Sequence, residues 1–187
     1  MLNVSNDRTQ FGARYIAPVN VKGKYKNKWH DINVNLIKFE TNLGQELSNI
    51  EAVKYIWGGK NLSASVAEEA RMCGGLANVY ALTRQQANFE KVIPSEILGI
   101  MTTERINKGG KTVEIFKIGA HPRYAYEQNR RSRDVKHIAS GMVEAFRQLA
   151  KESGVEPVVL CSEPKEEKFL RKVGLKPVKE NLVELIG

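Results

Sequence analysis

The sequence predicts an α/β protein built on a mixed, mostly antiparallel sheet with helices on both faces. Three observations predict this class. Residues 31–40 alternate apolar and polar side chains, as a strand with one buried face does. Residues 97–105 and 112–119 are strand-like segments joined by a hairpin turn at 107–110. An amphipathic helix over 134–153 then leads to a further apolar strand, and such a β-α-β passage requires a parallel pair beside the antiparallel strands.

The chain has 187 residues, which is enough for one domain with a real core. Residues 1–30 are rich in Gly, Pro, Asn and Lys and contain two short strand-like runs, so we expect an N-terminal arm or hairpin there. Residues 31–187 are expected to form a single domain. Its first strand carries Ile32, Val34 and Leu36 on the apolar face.

Two helices are predicted after this strand. Apolar residues at helical spacing predict the first from Asn42 to Trp57, ended by the two glycines that follow. Ser65 and Glu68 form a capping-box signature for the second. Residues 76–82 are then predicted as a strand, with a continuation of the helix as the alternative.

The last third of the chain is a strand, loop, helix, strand and helix in succession. The apolar stripe of its long helix consists of Val135, Ile138, Met142, Phe146, Leu149 and Ser153. Residues 157–161 form the next strand. Pro164 suits the first position of the last helix, and Gly174 suits its C-terminal cap. One or two closing strands are expected within 178–186.

The net charge of +8 is concentrated in two basic clusters, residues 22–30 and 123–137. Such clusters attract phosphate, whether on a cofactor, a nucleic acid or an acidic protein. For the first cluster, a solvated surface is the favoured interpretation. Tyrosines alternate with arginines in the second, which is a composition that binds single-stranded nucleic acid, or else a loop that orders over a cofactor.

Cys73 and Cys161 lie far apart, and no His/Cys cluster has zinc spacing, so no metal site is predicted. The start of the chain is too polar for a signal peptide, and no apolar run reaches the length of a membrane span. We therefore expect a cytoplasmic protein with reduced thiols and no membrane partner.

Three stretches carry a resemblance to a known family. Residues 169–178 read Phe-Leu-Arg-Lys-Val-Gly-Leu-Lys-Pro-Val, residues 137–143 open the long helix, and residues 118–122 end a strand in Ala-His-Pro. They resemble, in turn, the aromatic-x-x-x-Gly-Phe stretch, the CoA-binding helix start and the end of the fourth strand of the GNAT superfamily of acyl-CoA-dependent N-acyltransferases. The order of elements over 31–186 is similar to that family as well.

The resemblance implies transfer of an acetyl or other acyl group from acyl-CoA to a primary amine of a small molecule or a protein. It also implies that acetyl-CoA binds where strands 112–119 and 157–161 separate, with backbone groups pairing with the pantetheine arm and the helix start facing the pyrophosphate. The cofactor-binding residues implied are Ile118, Gly119, Ala120, Arg131, Arg133, Lys136, His137, Ile138, Ala139 and Ser140. The resemblance says nothing of the acceptor or of the oligomeric state.

The chain departs from the family pattern at the helix start. Asp134 stands where the signature has Arg or Gln, and His137 stands at the close-approach glycine. The loop 123–133 is longer than the family's and is interpreted as an insertion. Either its arginines supply the phosphate contacts that the signature residue would make, or the site does not bind CoA.

The acid and the base are not fixed by the sequence. Leu170 occupies the position of the family's general-acid tyrosine and cannot donate a proton, which leaves Tyr124, Tyr126, Ser162 and Cys161 as candidate acids. A small buried apolar residue is the favoured interpretation of Cys161.

The candidate bases are Glu114, Glu104 and His121. Glu114 faces away from Val113 and Ile115, towards either an acceptor cleft or the outer surface. The catalytic candidates are therefore Glu114, Tyr124 and Cys161. The rival hypothesis is a non-catalytic binding protein on the same scaffold, which uses the basic loop for nucleic acid or an acidic protein.

Overall fold

A computed structural model describes residues 13–40, 44–58, 68, 70, 72, 77–106, 109–124, 134–161, 164–172 and 175–179. The strands are β1 (Arg14–Tyr25), β2 (Lys28–Phe39), β3 (Asn78–Thr83), β4 (Ile97–Thr103), β5 (Thr112–Ala120), β6 (Val135–Lys136), β7 (Glu156–Cys161) and β8 (Lys176–Lys179). The helices are α1 (Gly44–Ile56), α2 (Ile138–Glu152) and α3 (Pro164–Lys172), with short 3₁₀ turns at Pro94–Glu96 and Pro122–Tyr124. Glu68, Ala70 and Met72 are also helical.

The eight strands form one sheet in the order β6-β1-β2-β3-β4-β5-β7-β8. Neighbours from β6 to β5 pair antiparallel, whereas β5–β7 and β7–β8 are parallel. The predicted α/β class with a mixed, mostly antiparallel sheet is therefore confirmed. The parallel pair occurs across α2, where the β-α-β passage required it.

Strands β1 and β2 form a long hairpin. Lys26 and Asn27 close it with φ angles of 45° and 64°, as a two-residue type I′ turn requires. The sequence indicates two short strand-like runs within residues 1–30, whereas β1 is one strand from Arg14 to Tyr25. The prediction of two separate runs was wrong: β1 pairs with β6 only at Lys22 and Gly23, so the missing N–H of Pro18 has no ladder partner to lose on that side.

Alternate residues of the central strands belong to two buried clusters. Leu36, Tyr80 and Met101 share the first cluster with α2, to which Met142 and Phe146 contribute. The second cluster consists of Ala13, Ile37, Phe39, Ile50, Val53, Trp57, Ala70, Val79, Ala81, Val92, Ile97 and Ile100. Because successive strand side chains point to opposite faces, the clusters lie on opposite sides of the sheet. Helical residues contribute to both.

Helix α2 begins at Ile138, so the prediction of helix from residue 134 was wrong at this end. Val135 and Lys136 instead form β6, which pairs with Gly23 and Lys22 of the β1 edge. His137 follows with a φ of 66° and is the N-cap residue of α2. Pairing with β1 and burial of Val135 outweigh the local helical pattern here.

Candidate functional site

Strands β5 and β7 separate after a short parallel contact. Their pairing runs from Thr112–Glu156 to Glu114–Val158 and goes no further within the described residues, although β5 continues to Ala120 and β7 to Cys161. On its other side β5 stays paired with β4 up to Ala120. Alternate backbone groups of 118–120 therefore point away from β4 into the opening, where an extended ligand can pair with them.

A β-bulge precedes this segment. Thr102 pairs with Lys117 and Thr103 with Ile115, so Phe116 is the extra residue. The bulge reverses the alternation of side chains, because Ile115 before it and Ile118 after it both pack in the first core cluster. The bulge thus changes which face of β5 each side chain lies on, close to the point where the pairing of β5 with β7 ends.

The start of α2 lies at the same end of the sheet. A Cβ atom built on Gly99 would lie 2.8 Å from Ile138 Cγ2 and 3.1 Å from the carbonyl oxygen of Gly119. Gly99 therefore lies between the helix start and the outer strand segment. Its lack of a side chain permits this close approach.

The N-terminus of α2 has no side-chain cap. The hydroxyl of Ser140 donates to the carbonyl of His137 at 3.2 Å, so it does not accept from a first-turn N–H in this contact. Ile138 is buried and Ala139 is half-buried, and the hydrogen-bond donors of this first turn are its backbone N–H groups. Such groups and the helix dipole favour an anion.

A groove of about 470 Å³ runs along this end of α2. Its lining consists of Asn20, His137, Ser140, Gly141, Glu144, Arg147 and Lys172. Glu144 is hydrogen-bonded to Arg147 at 3.3 Å. Arg147 and Lys172 against one carboxylate leave the groove with an excess of positive charge, which suits a phosphate group.

Tyr124, a predicted catalytic residue, lies just beyond β5 in a cluster of charged side chains. Arg84 Nη2 donates to its phenolic oxygen at 3.1 Å, and the guanidinium groups of Arg84 and Arg123 lie over its ring at 5.6 and 6.0 Å from the centroid. Burial raises the pKa of Tyr124, with the nearby arginines opposing that rise. The phenol is therefore protonated at neutral pH and can act as a proton donor.

His121 contacts the same ring, with 5.4 Å between the two ring centroids. Its Nδ1 accepts the backbone N–H of Arg123 at 3.0 Å. Burial, followed by the charges of Arg123 and Arg84, lowers the pKa of His121. The imidazole is therefore neutral at pH 7 with its proton on Nε2, so it is a hydrogen-bond donor rather than a base at that atom.

Asp134 completes the cluster. Its Oδ2 lies 3.6 Å from Arg84 Nη2 and 3.8 Å from Arg123 Nη2. Its Oδ1 is buried and has no hydrogen-bond donor within the described part of the chain. A buried carboxylate oxygen without a donor is costly, and an ammonium group would satisfy it.

Two other predicted catalytic residues are placed differently. Glu114 is the last residue of β5 that pairs with β7, and it is half-buried. It alternates with Val113, which packs in the first core cluster, so its side chain is on the opposite face from α2. Cys161 ends β7, where its backbone pairs with Lys179. The alternative base Glu104 accepts the N–H of Glu114 at 3.4 Å.

The remaining predicted cofactor residues lie in different parts of the chain. Gly119 is buried, and Ile118 and Ala120 are half-buried, all at the opening between β5 and β7. Lys136 lies in β6 with its ammonium 3.8 Å from the ring centroid of Trp29. Arg131 and Arg133 lie outside the described residues.

Leu170 is 6 % exposed and packs in the first core cluster. The position of the family tyrosine is therefore filled by a core side chain. Arg84 and Asp134 were missed as members of a site. Arg84 is 40 residues from Tyr124 and follows a different strand, so no local pattern joins them.

No family model matches this chain, and no curated protein and no solved structure matches it. Within the described ranges, no three His, Cys, Asp or Glu residues are grouped so as to hold a metal ion. In the same ranges no helix has both the length and the apolar character needed to span a bilayer.

Proposed function

We propose that this protein is an acyl-CoA-dependent N-acyltransferase of GNAT-like architecture, with helices on both faces of the sheet. Its donor is acetyl-CoA or another acyl-CoA, and its acceptor is a primary amine. The observation that carries this proposal is the separation of β5 and β7 after three residue pairs, with the uncapped start of α2 at the same end of the sheet.

The donor fits this opening in two parts. The amide groups of the pantetheine arm pair with the outward backbone groups of 118–120, as an added strand does. The diphosphate lies against the first turn of α2, where Arg147 and Lys172 in the adjoining groove add positive charge. Arg131 and Arg133 remain proposed phosphate contacts from the loop.

The cluster around Tyr124 supplies the chemistry. The acceptor arrives as an ammonium, and the Asp134 carboxylate, whose side chain is 36 % exposed, takes its proton. The amine nitrogen then attacks the thioester carbonyl carbon, and His121 Nε2–H donates to the carbonyl oxygen as negative charge develops there. When the C–S bond breaks, the thiolate takes the proton of the Tyr124 hydroxyl, and the surplus proton on the former amine nitrogen passes to the Tyr124 phenolate and restores the phenol. Tyr124 thus acts as the general acid, which Leu170 cannot do because it has no proton to donate.

Isothermal titration calorimetry with acetyl-CoA tests the donor site. We expect saturable binding that Lys172→Gln weakens by up to about fivefold, since an exposed charge contact contributes at most about 1 kcal/mol. Lys111→Gln is the matched control, because Lys111 lines a neighbouring groove towards the other end of α2 and does not line the groove proposed for the diphosphate. No binding at millimolar acetyl-CoA would overturn the proposal. Binding without thiol release for any of a panel of primary amines would favour the non-catalytic alternative.

A further inference from the structure

The tip of the β1–β2 hairpin projects beyond its neighbours in the sheet. β2 pairs with β3 only from Asn35 to Phe39, and β6 covers only Lys22 and Gly23 of β1. The hairpin is therefore two-stranded from Lys24 to Trp29, where Lys24 pairs with Trp29 and Tyr25 with Lys28. The backbone N–H of Lys24 also donates to the carbonyl of Asp134. We call residues 22–31 together with Lys136 the basic ribbon.

The basic ribbon is strongly cationic. Its lysines are Lys22, Lys24, Lys26, Lys28 and Lys136, and its one carboxylate is Asp31. Asp31 pairs with Lys22 at 2.8 Å. Among the residues that the structure describes, no salt bridge joins the other four lysines to a carboxylate. An excess of positive charge at a projecting tip attracts a polyanion.

The strand register places several charged side chains and the Trp29 ring on the same face of the sheet. Lys22 is opposite both Asp31 and Lys136, and Lys24 is opposite Trp29. Directly opposed residues share a face of the sheet. The ammonium of Lys136 accordingly lies 3.8 Å from the Trp29 ring centroid.

The turn adds an exposed aromatic ring. Tyr25 is 66 % exposed, and the ammonium of Lys26 lies 5.4 Å from its ring centroid. An exposed ring beside lysines has no packing role in the core. It is the arrangement on which an unpaired base stacks while its phosphates meet the cations.

We propose that the basic ribbon binds single-stranded nucleic acid. Lys22, Lys24 and Lys136, which share one face, contact phosphates. Tyr25, which pairs with Lys28 on the opposite face at the exposed turn, stacks on a base. The basic ribbon adjoins the acyl-transfer site proposed above, since the backbone N–H of Lys24 donates to the carbonyl of Asp134 at 2.7 Å. The acyl-transfer steps proposed above use none of its side chains, so the inference does not depend on that function.

Fluorescence anisotropy with labelled single-stranded 20-mers of dT and of U tests the proposal. We expect binding at about 50 mM salt, with log K falling by about 0.7 per phosphate contact for each unit of log salt. Lys22→Gln/Lys24→Gln/Lys28→Gln should weaken binding about tenfold or more and reduce the salt slope by about 2. The matched control is Lys91→Gln/Lys111→Gln/Lys151→Gln, which removes the same charge from exposed positions elsewhere and should have little effect.

A second variant separates stacking from charge. Tyr25→Ala should weaken binding of the dT 20-mer about fivefold or more and leave the salt slope unchanged. Tyr55→Ala, at a residue 86 % exposed on α1, is its control. Absence of binding, or equal loss in the two triple variants, would overturn the proposal. So would equal binding of phosphatidylserine vesicles with no effect of Tyr25→Ala.

Discussion

Arg84 and Tyr124 are joined by a hydrogen bond of 3.1 Å from the guanidinium Nη2 to the phenolic oxygen. Arg84 directly follows β3 and Tyr124 lies just beyond β5, so the bond connects the ends of two strands separated by β4. Arg84 also lies 3.6 Å from Asp134, at the end of the loop that leads to α2. The contact therefore joins Tyr124 to the end of β3 and, through Arg84, to Asp134.

Tyr124→Phe tests the role of this donor. It removes the hydroxyl and keeps the ring that contacts His121. We expect turnover of an amine that the wild type acylates to fall by about 10²–10⁴-fold, because a placed general acid contributes about that much. The dissociation constant of acetyl-CoA should stay the same. Turnover equal to that of the Tyr55→Phe control would exclude Tyr124 as the acid.

The titration of His121 tests the electrostatics of the cluster. Burial and two arginines lower its pKa, so in an NMR titration of the three histidines its midpoint should lie below 6.5. Arg84→Gln should raise this pKa, but not to 6.5, since burial is the largest cause. Arg147→Gln, on the exposed side of α2, should leave it unchanged. A His121 midpoint above 6.5 would contradict the arrangement.

A depressed histidine pKa also affects stability. The neutral form of His121 is favoured in the folded state, so its contribution is fully present above pH 6.5 and is lost as the pH falls through the folded pKa. The unfolding free energy of the wild type should therefore fall more between pH 7 and pH 5 than that of His121→Gln. Urea denaturation at the two pH values measures this, and equal losses would argue against it.

The raised pKa of Tyr80 predicts that stability is lost at high pH rather than at low pH. It is 2 % exposed and packs edge-on against Phe146, and burial raises its pKa to about 12. Its stabilising contribution is complete below pH 10 and is lost as the pH rises towards 12. At pH 11 the wild type should have lost about 1.4 kcal/mol more than Tyr80→Phe. Urea denaturation at pH 9 and 11 tests this, with Tyr55→Phe as control, and no difference would contradict the burial of the hydroxyl.

Gly141 tests the packing of α2 against β1. A Cβ atom there would lie 2.9 Å from Val19 Cγ1 and 3.3 Å from Val21 Cγ1. Gly141→Ala should destabilise by about 1–3 kcal/mol, although alanine is the better helix former by about 1 kcal/mol. In a double-mutant cycle with Val19→Ala, the two changes should couple favourably. Additive free energies would mean that the helix does not lie this close.

The fold was largely predictable where a segment has its own periodicity. β4 and β5 lie within a few residues of their predicted bounds, and α1 ends as expected before Gly58, whose φ is 82°. The sequence could not predict β6, because a strand of two residues is too short to show an alternating pattern. Val135 is in a strand only because its backbone pairs with β1. The second predicted helix is described only at three residues.

The candidate site was predictable only in part. The family resemblance implies an opening where strands 112–119 and 157–161 separate, and within the described residues the pairing of β5 with β7 ends after Glu114. The cluster around Tyr124 depends on contacts between residues far apart in sequence. Asp134 was noted as a departure from a signature, and only its approach to Arg84 and Arg123 gives it a role.

Amide hydrogen–deuterium exchange with and without saturating acetyl-CoA tests the central claim most directly, because it reports on the backbone groups that the proposal assigns to the donor. We predict slower exchange in peptides that cover 118–120 and in the first turn of α2 on addition of acetyl-CoA, with the β1–β2 hairpin unaffected. Unchanged exchange in both segments at saturating donor, or protection confined to another part of the chain, would contradict the account.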